Sequence, residues 1–266
     1  MSPRRRFLIT LLAAVLAVAA VVVGVRVLAD RAPDVDPDFR PAQDALGPVL
    51  LVPGYGGSRE SLRALAERIE ASGRTAEVLE LAGDGTGDLT AQVEVLDEAV
   101  NDRLAAGAPS VDVVGYSAGG VVAGLWVARE DGAARARRVV TLGAPLSGTT
   151  VAAVGGASVP DACPTACRQL SPGSAELAEL AGARVGEALP WLSIWTTDDR
   201  TVVPPDSARL PGAVNVAVQS VCPGARIDHG GLPDDPAVAG MVLRALSTGP
   251  LAEPTDCAAL RAESTG

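Results

Sequence analysis

The chain has 266 residues, enough for one sizeable core, and 48% of them are apolar but only 3% aromatic, so that core is built mainly from Val, Leu and Ala. Its formal charge is −10 without a single lysine; setting aside the four arginines of the first 29 residues leaves 18 basic residues against 32 acidic ones. So acidic a body excludes nucleic acid as a partner, because binding a polyphosphate requires Lys/Arg neutralisation.

The N-terminus reads as an export segment. Arg4, Arg5 and Arg6 precede a 19-residue uncharged run from Phe7 to Val25, and "RRRFLI" has the twin-arginine pattern. A cleaved signal and a signal anchor both fit, since the run is long enough to span a bilayer while "VLA" at 27–29 offers a cleavage site. Three arginines before the run place the N-terminus in the cytoplasm and the body outside, secreted or anchored to the cell surface. Residues 30–47 are rich in Asp and Pro without periodicity, as in a tether, with an arm lying on the domain as the alternative.

From residue 48 to 266 the chain reads as one domain in which strand-like and helix-like segments alternate. "PVLLVPG" (48–54) is a buried strand, and 58–72 a helix with Leu62, Leu65 and Ile69 on one face. Strand 75–81, a Gly-rich turn (83–87), a helix carrying Val93, Leu96 and Val100, and the strand "VDVVG" follow. A helix over 118–130 leads to strand 137–143; strands 189–195 and 213–218 and a last helix near 236–247 complete the series. This alternation predicts an α/β fold, a mostly parallel sheet with helices on both faces. The exception is 146–188, a Gly/Ala/Ser-rich excursion with one helix-like piece, "SAELAELAG", of a size typical of lids and binding loops.

The cysteines at 163, 167, 222 and 257 are even in number and lie in the exported body, which favours disulfides. Cys163–Cys167 with Cys222–Cys257 is the preferred pairing; a four-thiolate zinc site is the rival, although the C-x2-C knuckles are missing. "GDGTGD" (83–88) lacks the alternating oxygens of an EF-hand, and Thr86 or Asp88 reads instead as a helix cap, so no metal is assigned.

"DVVGYSAGG" (112–120) carries the chemistry. Gly-x-Ser-x-Gly alone is weak, but here it sits between a strand and a helix, where a tight turn lifts the Ser117 hydroxyl clear of the sheet. Side chains at 115 and 119 would collide with neighbouring backbone, hence Gly115 and Gly119. A serine needs a base to become a nucleophile, and His229, in "RIDHGGL", is the chain's single histidine. It follows the last strand, which puts it at the same carboxyl edge as Ser117. The acid that would orient it lies among Asp198, Asp199 and Asp206, and spacing alone does not choose between them.

With "PVLLVPGYGG", "GYSAGG", "TLGAPLSGT" and "DHGGL" in this order, residues 48–246 resemble the secreted bacterial lipases and esterases of the α/β-hydrolase family. The resemblance implies Asp199 as the acid, in register with Val202 in a D-x-x-V pattern, and an oxyanion hole from the main-chain N–H groups of Ala118 and Tyr55. Pro53 and Leu146 depart from it, each replacing a usual histidine. The implied activity is hydrolysis of carboxylic esters through Ser117, His229 and Asp199, without cofactor, on ester or lipid substrates. Membrane contact would come through the N-terminal helix if uncleaved. An acyltransferase with the same triad and a non-catalytic, membrane-tethered binding domain are the alternatives.

Overall fold

The computed structural model describes residues 39–264. The segment read from sequence as an export signal or anchor and most of the stretch read as a tether lie outside the described residues, and among those described no helix is long and apolar enough to cross a membrane.

Six strands form one parallel sheet: β1 (Val49–Val52), β2 (Ala76–Val78), β3 (Val111–Tyr116), β4 (Ala136–Leu142), β5 (Trp191–Trp195) and β6 (Val214–Ala217), in the spatial order β2-β1-β3-β4-β5-β6. Four of these strands (β1, β3, β4 and β5) are buried along their whole length, as expected of apolar β-branched runs covered on both faces. Alternation along β1 shows the two layers. Leu50 and Val52 face one core with α2 (Leu89–Ala105) and α3 (Ala118–Arg129), while Val49 and Leu51 face the other. That second core is closed by α1 (Arg63–Ala71) and by α9 (Pro236–Leu246), which ends the chain's main helical series. Leu65 and Ile69 of α1, with Leu62 just before it, are fully buried, each contributing about 1.5–3 kcal/mol of transfer free energy.

Sequence reasoning and structure differ in two places. The excursion 146–188 holds four helices rather than one: α4 (Thr150–Ser158), α5 (Thr165–Gln169), α6 (Ala175–Ala183) and α7 (Val185–Ala188). After β6 comes a short helix α8 (Val218–Val221), and beyond α9 a further one, α10 (Cys257–Glu263), so 236–246 is not the last helix. Of the two cap candidates for α2, Thr86 and Asp88, the structure uses Asp88, whose carboxylate accepts from Thr90 N–H at 2.9 Å. The cysteines are paired Cys163–Cys167 and Cys222–Cys257, with none free.

Residues 41–47 pack on the amino edge of the sheet. Arg137 donates to Gln43 O, Arg138 to Gln43 Oε1, and Ser110 to Ala45 O. The carboxyl edge carries the loops that follow β1, β3, β4, β5 and β6. The strand order reverses between β1 and β3, and a crevice at such a reversal is where open α/β sheets place their ligands.

Candidate active site

Ser117 follows β3 with φ 53° and ψ −124°, a backbone conformation rare for a residue with a side chain and held only because its surroundings over-determine it. Its N–H donates to Leu142 O at 2.8 Å, and its carbonyl accepts from Gly120 N–H. The flanking glycines have steric reasons. A Cβ on Gly115 would lie 2.6 Å from Gly119 O, and one on Gly119 would lie 2.2 Å from Val52 O, so the turn and helix α3 sit directly on the end of β1.

His229, from the loop after α8, reaches the same edge. Its Nε2 is 2.9 Å from Ser117 Oγ and its Nδ1 2.7 Å from Asp199 Oδ2. A carboxylate only accepts, so Nδ1 carries the proton donated to Asp199, leaving the Nε2 lone pair to accept from Ser117 O–H. All three residues are nearly buried, at 9% exposure or less. The second oxygen of Asp199, Oδ1, accepts from Thr201 and Val202 N–H groups at 2.8 Å each, which fixes the plane of the carboxylate. Asp198 and Asp206 do not reach the imidazole: the first lies in the turn before Asp199, the second in a 3-10 turn over Pro205–Ala208.

Several residues that fix the imidazole carry no local signal in the sequence. Tyr116 stacks on the His229 ring (centroids 5.3 Å apart, 30° between planes) and its hydroxyl donates to His229 O at 3.2 Å. Burial first, then the negative charges of Asp199, Asp228 and Asp234, push its phenol up to about 12. Gly143, at φ 56°, leaves room for the ring; a Cβ there would stand 3.1 Å from two of its atoms and 2.8 Å from Leu232. Thr196 binds the acid and histidine loops together. Its hydroxyl donates to Ile227 O at 2.6 Å and accepts from Gln219 Nε2 at 2.8 Å, while Gln219 Oε1 accepts from Thr197 N–H. The quoted motif "TLGAP" contains Gly143 and "GYSAGG" contains Tyr116, so both lay within known stretches, but only the fold shows what they touch.

The other two residues named from sequence lie around Ser117. Ala118 opens α3, so its N–H is one of the helix's free donors. Tyr55 lies in the loop after β1. There Gly57 N–H donates to Gly54 O and Gly56 N–H to Gly85 O, so the Tyr55 N–H serves neither bond. A Cβ on Gly54 would be 3.0 Å from Ser117 Cβ, which puts this loop against the serine. Beside the acid and histidine loops is an open cavity of about 1130 Å³, with Arg200, Arg226, Asp228 and Asp234 in its lining.

Strand order, strand–turn–helix elbow and the positions of the loops define the α/β-hydrolase fold. No family model matches the sequence, and no curated protein matches it. Among solved structures the chain is similar to the mature form of the lipase BlEst2 of Bacillus licheniformis (TM-score 0.64, 18% identity, 76% of this chain and 93% of that one). It is also similar to lipase B of Aspergillus fumigatus (0.62, 19%, 85% of this chain but 62% of that one) and to MGS-MChE2, an α/β hydrolase from a lagoon-sediment metagenome of Mar Chica, Morocco (0.51, 16%, 76% and 90%). At these identities what is shared is the fold.

Proposed function

We propose that this protein is an exported serine hydrolase of carboxylic esters, with Ser117 as nucleophile, His229 as general base and acid, and Asp199 as the carboxylate that orients it. The observation that carries the reading is the unbroken relay from Ser117 Oγ to His229 to Asp199, at 2.9 and 2.7 Å, built on the chain's single histidine. As Oγ attacks the ester carbonyl, its proton passes to Nε2. The imidazolium is stabilised by Asp199, and the proton is then given to the leaving alcohol. Water, activated by the same nitrogen, releases the acyl group. The oxyanion is met by the Ala118 and Tyr55 N–H groups, each worth about 3–4 kcal/mol to the transition state.

The surroundings support acyl chains as part of the substrate. Helix α4 starts at the acid loop, where Thr149 donates to Thr201 O and Thr150 N–H to Val203 O, and it turns the largely exposed Val151 and Val154 to solvent. Lipases among the structural neighbours are consistent with that. Two disulfides and an acidic body support export, with residues 1–29 as signal or anchor, 30–47 as tether and 48–266 as the hydrolase domain.

The test is hydrolysis of p-nitrophenyl esters of increasing chain length by residues 30–266. Ser117→Ala should lower kcat by roughly four to six orders of magnitude. A serine-directed phosphonate should label Ser117. Wild-type turnover in the alanine variant, or labelling at another residue, would refute the mechanism.

A further inference from the structure

In the lipases and esterases that the sequence resembles, the loop after the first strand usually has a histidine where this chain has Pro53, and the sequence alone leaves open what holds the Tyr55 loop. We propose that the turn 83–88 holds it instead and ties it to the excursion 146–188, with Gly85 and Gln169 as positioning residues for the oxyanion donor at Tyr55. The proposal rests on the Ser117 reading above.

The turn meets the Tyr55 loop backbone to backbone. Gly56 N–H donates to Gly85 O at 3.3 Å, and a Cβ on Gly85 would lie 2.5 Å from Gly57 N and 2.8 Å from Gly57 Cα. On its other side that loop approaches Ser117 at Gly54, where an added Cβ would lie 3.0 Å from Ser117 Cβ, so the loop lies between the turn and the serine. The turn itself is rigid. Asp84 accepts from Thr86 N–H and Oγ–H at 2.9 and 2.6 Å, and hydrogen bonding from Thr86 holds its carboxyl below the ordinary aspartate range. Just before the turn, the chain is pinned to α2: Ala82 N–H donates to Gln92 Oε1 and Ala82 O accepts from Gln92 Nε2, and Gln92 is buried.

The far end of the turn is bonded to α5. Ala166 N–H donates to Thr86 O at 3.2 Å. Gln169, nearly buried, accepts from Leu89 N–H and donates to Asp88 and Glu176, each at 2.8 Å. An N–H facing the amide must face its oxygen, which leaves the nitrogen for the two carboxylates; every bond of this side chain has its proper sense. The Gln169 amide is the first cause holding the Asp88 carboxyl below its usual value. Contacts therefore run without a gap from the disulfide-bonded α5, through the turn, to the loop beside Ser117. Whatever moves the excursion, an acyl chain lying against it included, also moves the oxyanion donor.

The readout is the ratio of kcat/KM for an oxo ester to that for its thiono analogue, in which sulfur replaces the carbonyl oxygen. Sulfur is larger and a weaker acceptor, so a well-placed donor favours the oxo ester and a displaced one favours it less. Gln169→Met and Gly85→Ala should each lower kcat for the oxo ester by about tenfold, less than outright loss of a donor causes. Both should narrow the ratio by a similar factor with KM little changed. A partly unfolded sample does not alter a ratio taken on one preparation, and Gln169→Met avoids the backbone strain of the second variant. If the wild type is active and both variants keep its ratio, this proposal alone is overturned. A wild type that turns over neither ester overturns the Ser117 reading and this one with it.

Discussion

Tyr116 precedes Ser117 in sequence and stacks on the His229 imidazole in space, and its phenol has a measurable consequence. Burial raises the folded pKa to about 12 against an ordinary value of 10.0. Below pH 10 both the folded and unfolded phenols are protonated and this group's contribution to stability is fully present. Between 10 and 12 the unfolded chain ionises first, so stability falls as pH rises, by about 2 kcal/mol from pH 10 to pH 12. Tyr116→Phe should therefore flatten the difference between urea-unfolding free energies at pH 10 and pH 12 relative to wild type. Parallel curves for the two proteins would mean that this phenol is not buried against His229. The same residue shows what a sequence can and cannot reveal at this scale. Ser117, Gly115 and Gly119 were legible because the constraint is local: one tight turn needs them. Tyr116, Gly143 and Gln219 were not, because each is fixed by a partner brought from far along the chain.

The elements divide in the same way. Strands β1, β3, β4 and β5 were readable because each is mostly apolar and bounded by turn residues, as a strand covered on both faces requires, although β3 and β4 also bury Asp112, Arg137 and Arg138 at their amino ends. Short helices α4, α5, α8 and α10 were not, since four to nine residues give too little periodicity and their order comes from caps and cross-links. Cys222–Cys257 ties α10 to the end of α8, the helix whose Gln219 grips the acid loop, across a separation of 35 residues. Closing a loop of that size stabilises by about 3–4 kcal/mol, whereas the four-residue separation of Cys163–Cys167 gives about 2. Replacing both Cys222 and Cys257 by Ser should lower Tm by about 10 °C, and the Cys163/Cys167 double variant by about half as much. Thermal unfolding followed by circular dichroism measures both. The reverse order would show that α10 and the histidine loop do not depend on their cross-link.

Across the whole molecule, the two edges of the sheet have separate tasks. The carboxyl edge gathers Ser117, Asp199 and His229. The amino edge buries a charge cluster in which Asp112 Oδ2 meets Arg137 at 2.6 Å and Arg74 at 2.7 Å. Arg137 also donates to the carbonyls of Leu246 and Ser247, and Arg138 to those of Ala245 and Gly249, so the end of α9 is held onto β4. Burial, followed by the adjacent Arg137, lowers the Arg138 guanidinium below its ordinary value. Among the described residues Asp112 is the only carboxylate that meets these arginines, and it is fully buried. Asp112→Asn keeps the shape but leaves Arg137 buried without its counter-charge, a change that costs about 3–5 kcal/mol. Because none of the cluster's described bonds reaches Ser117, at the opposite end of β3, the loss should fall on stability alone. Urea denaturation should show the full decrease, while kcat of the folded variant at low temperature stays within about twofold of wild type, the independence expected of sites with no shared partner. A tenfold fall in kcat at a temperature where the variant is fully folded would mean that β3 transmits strain from Asp112 to the serine turn at its other end.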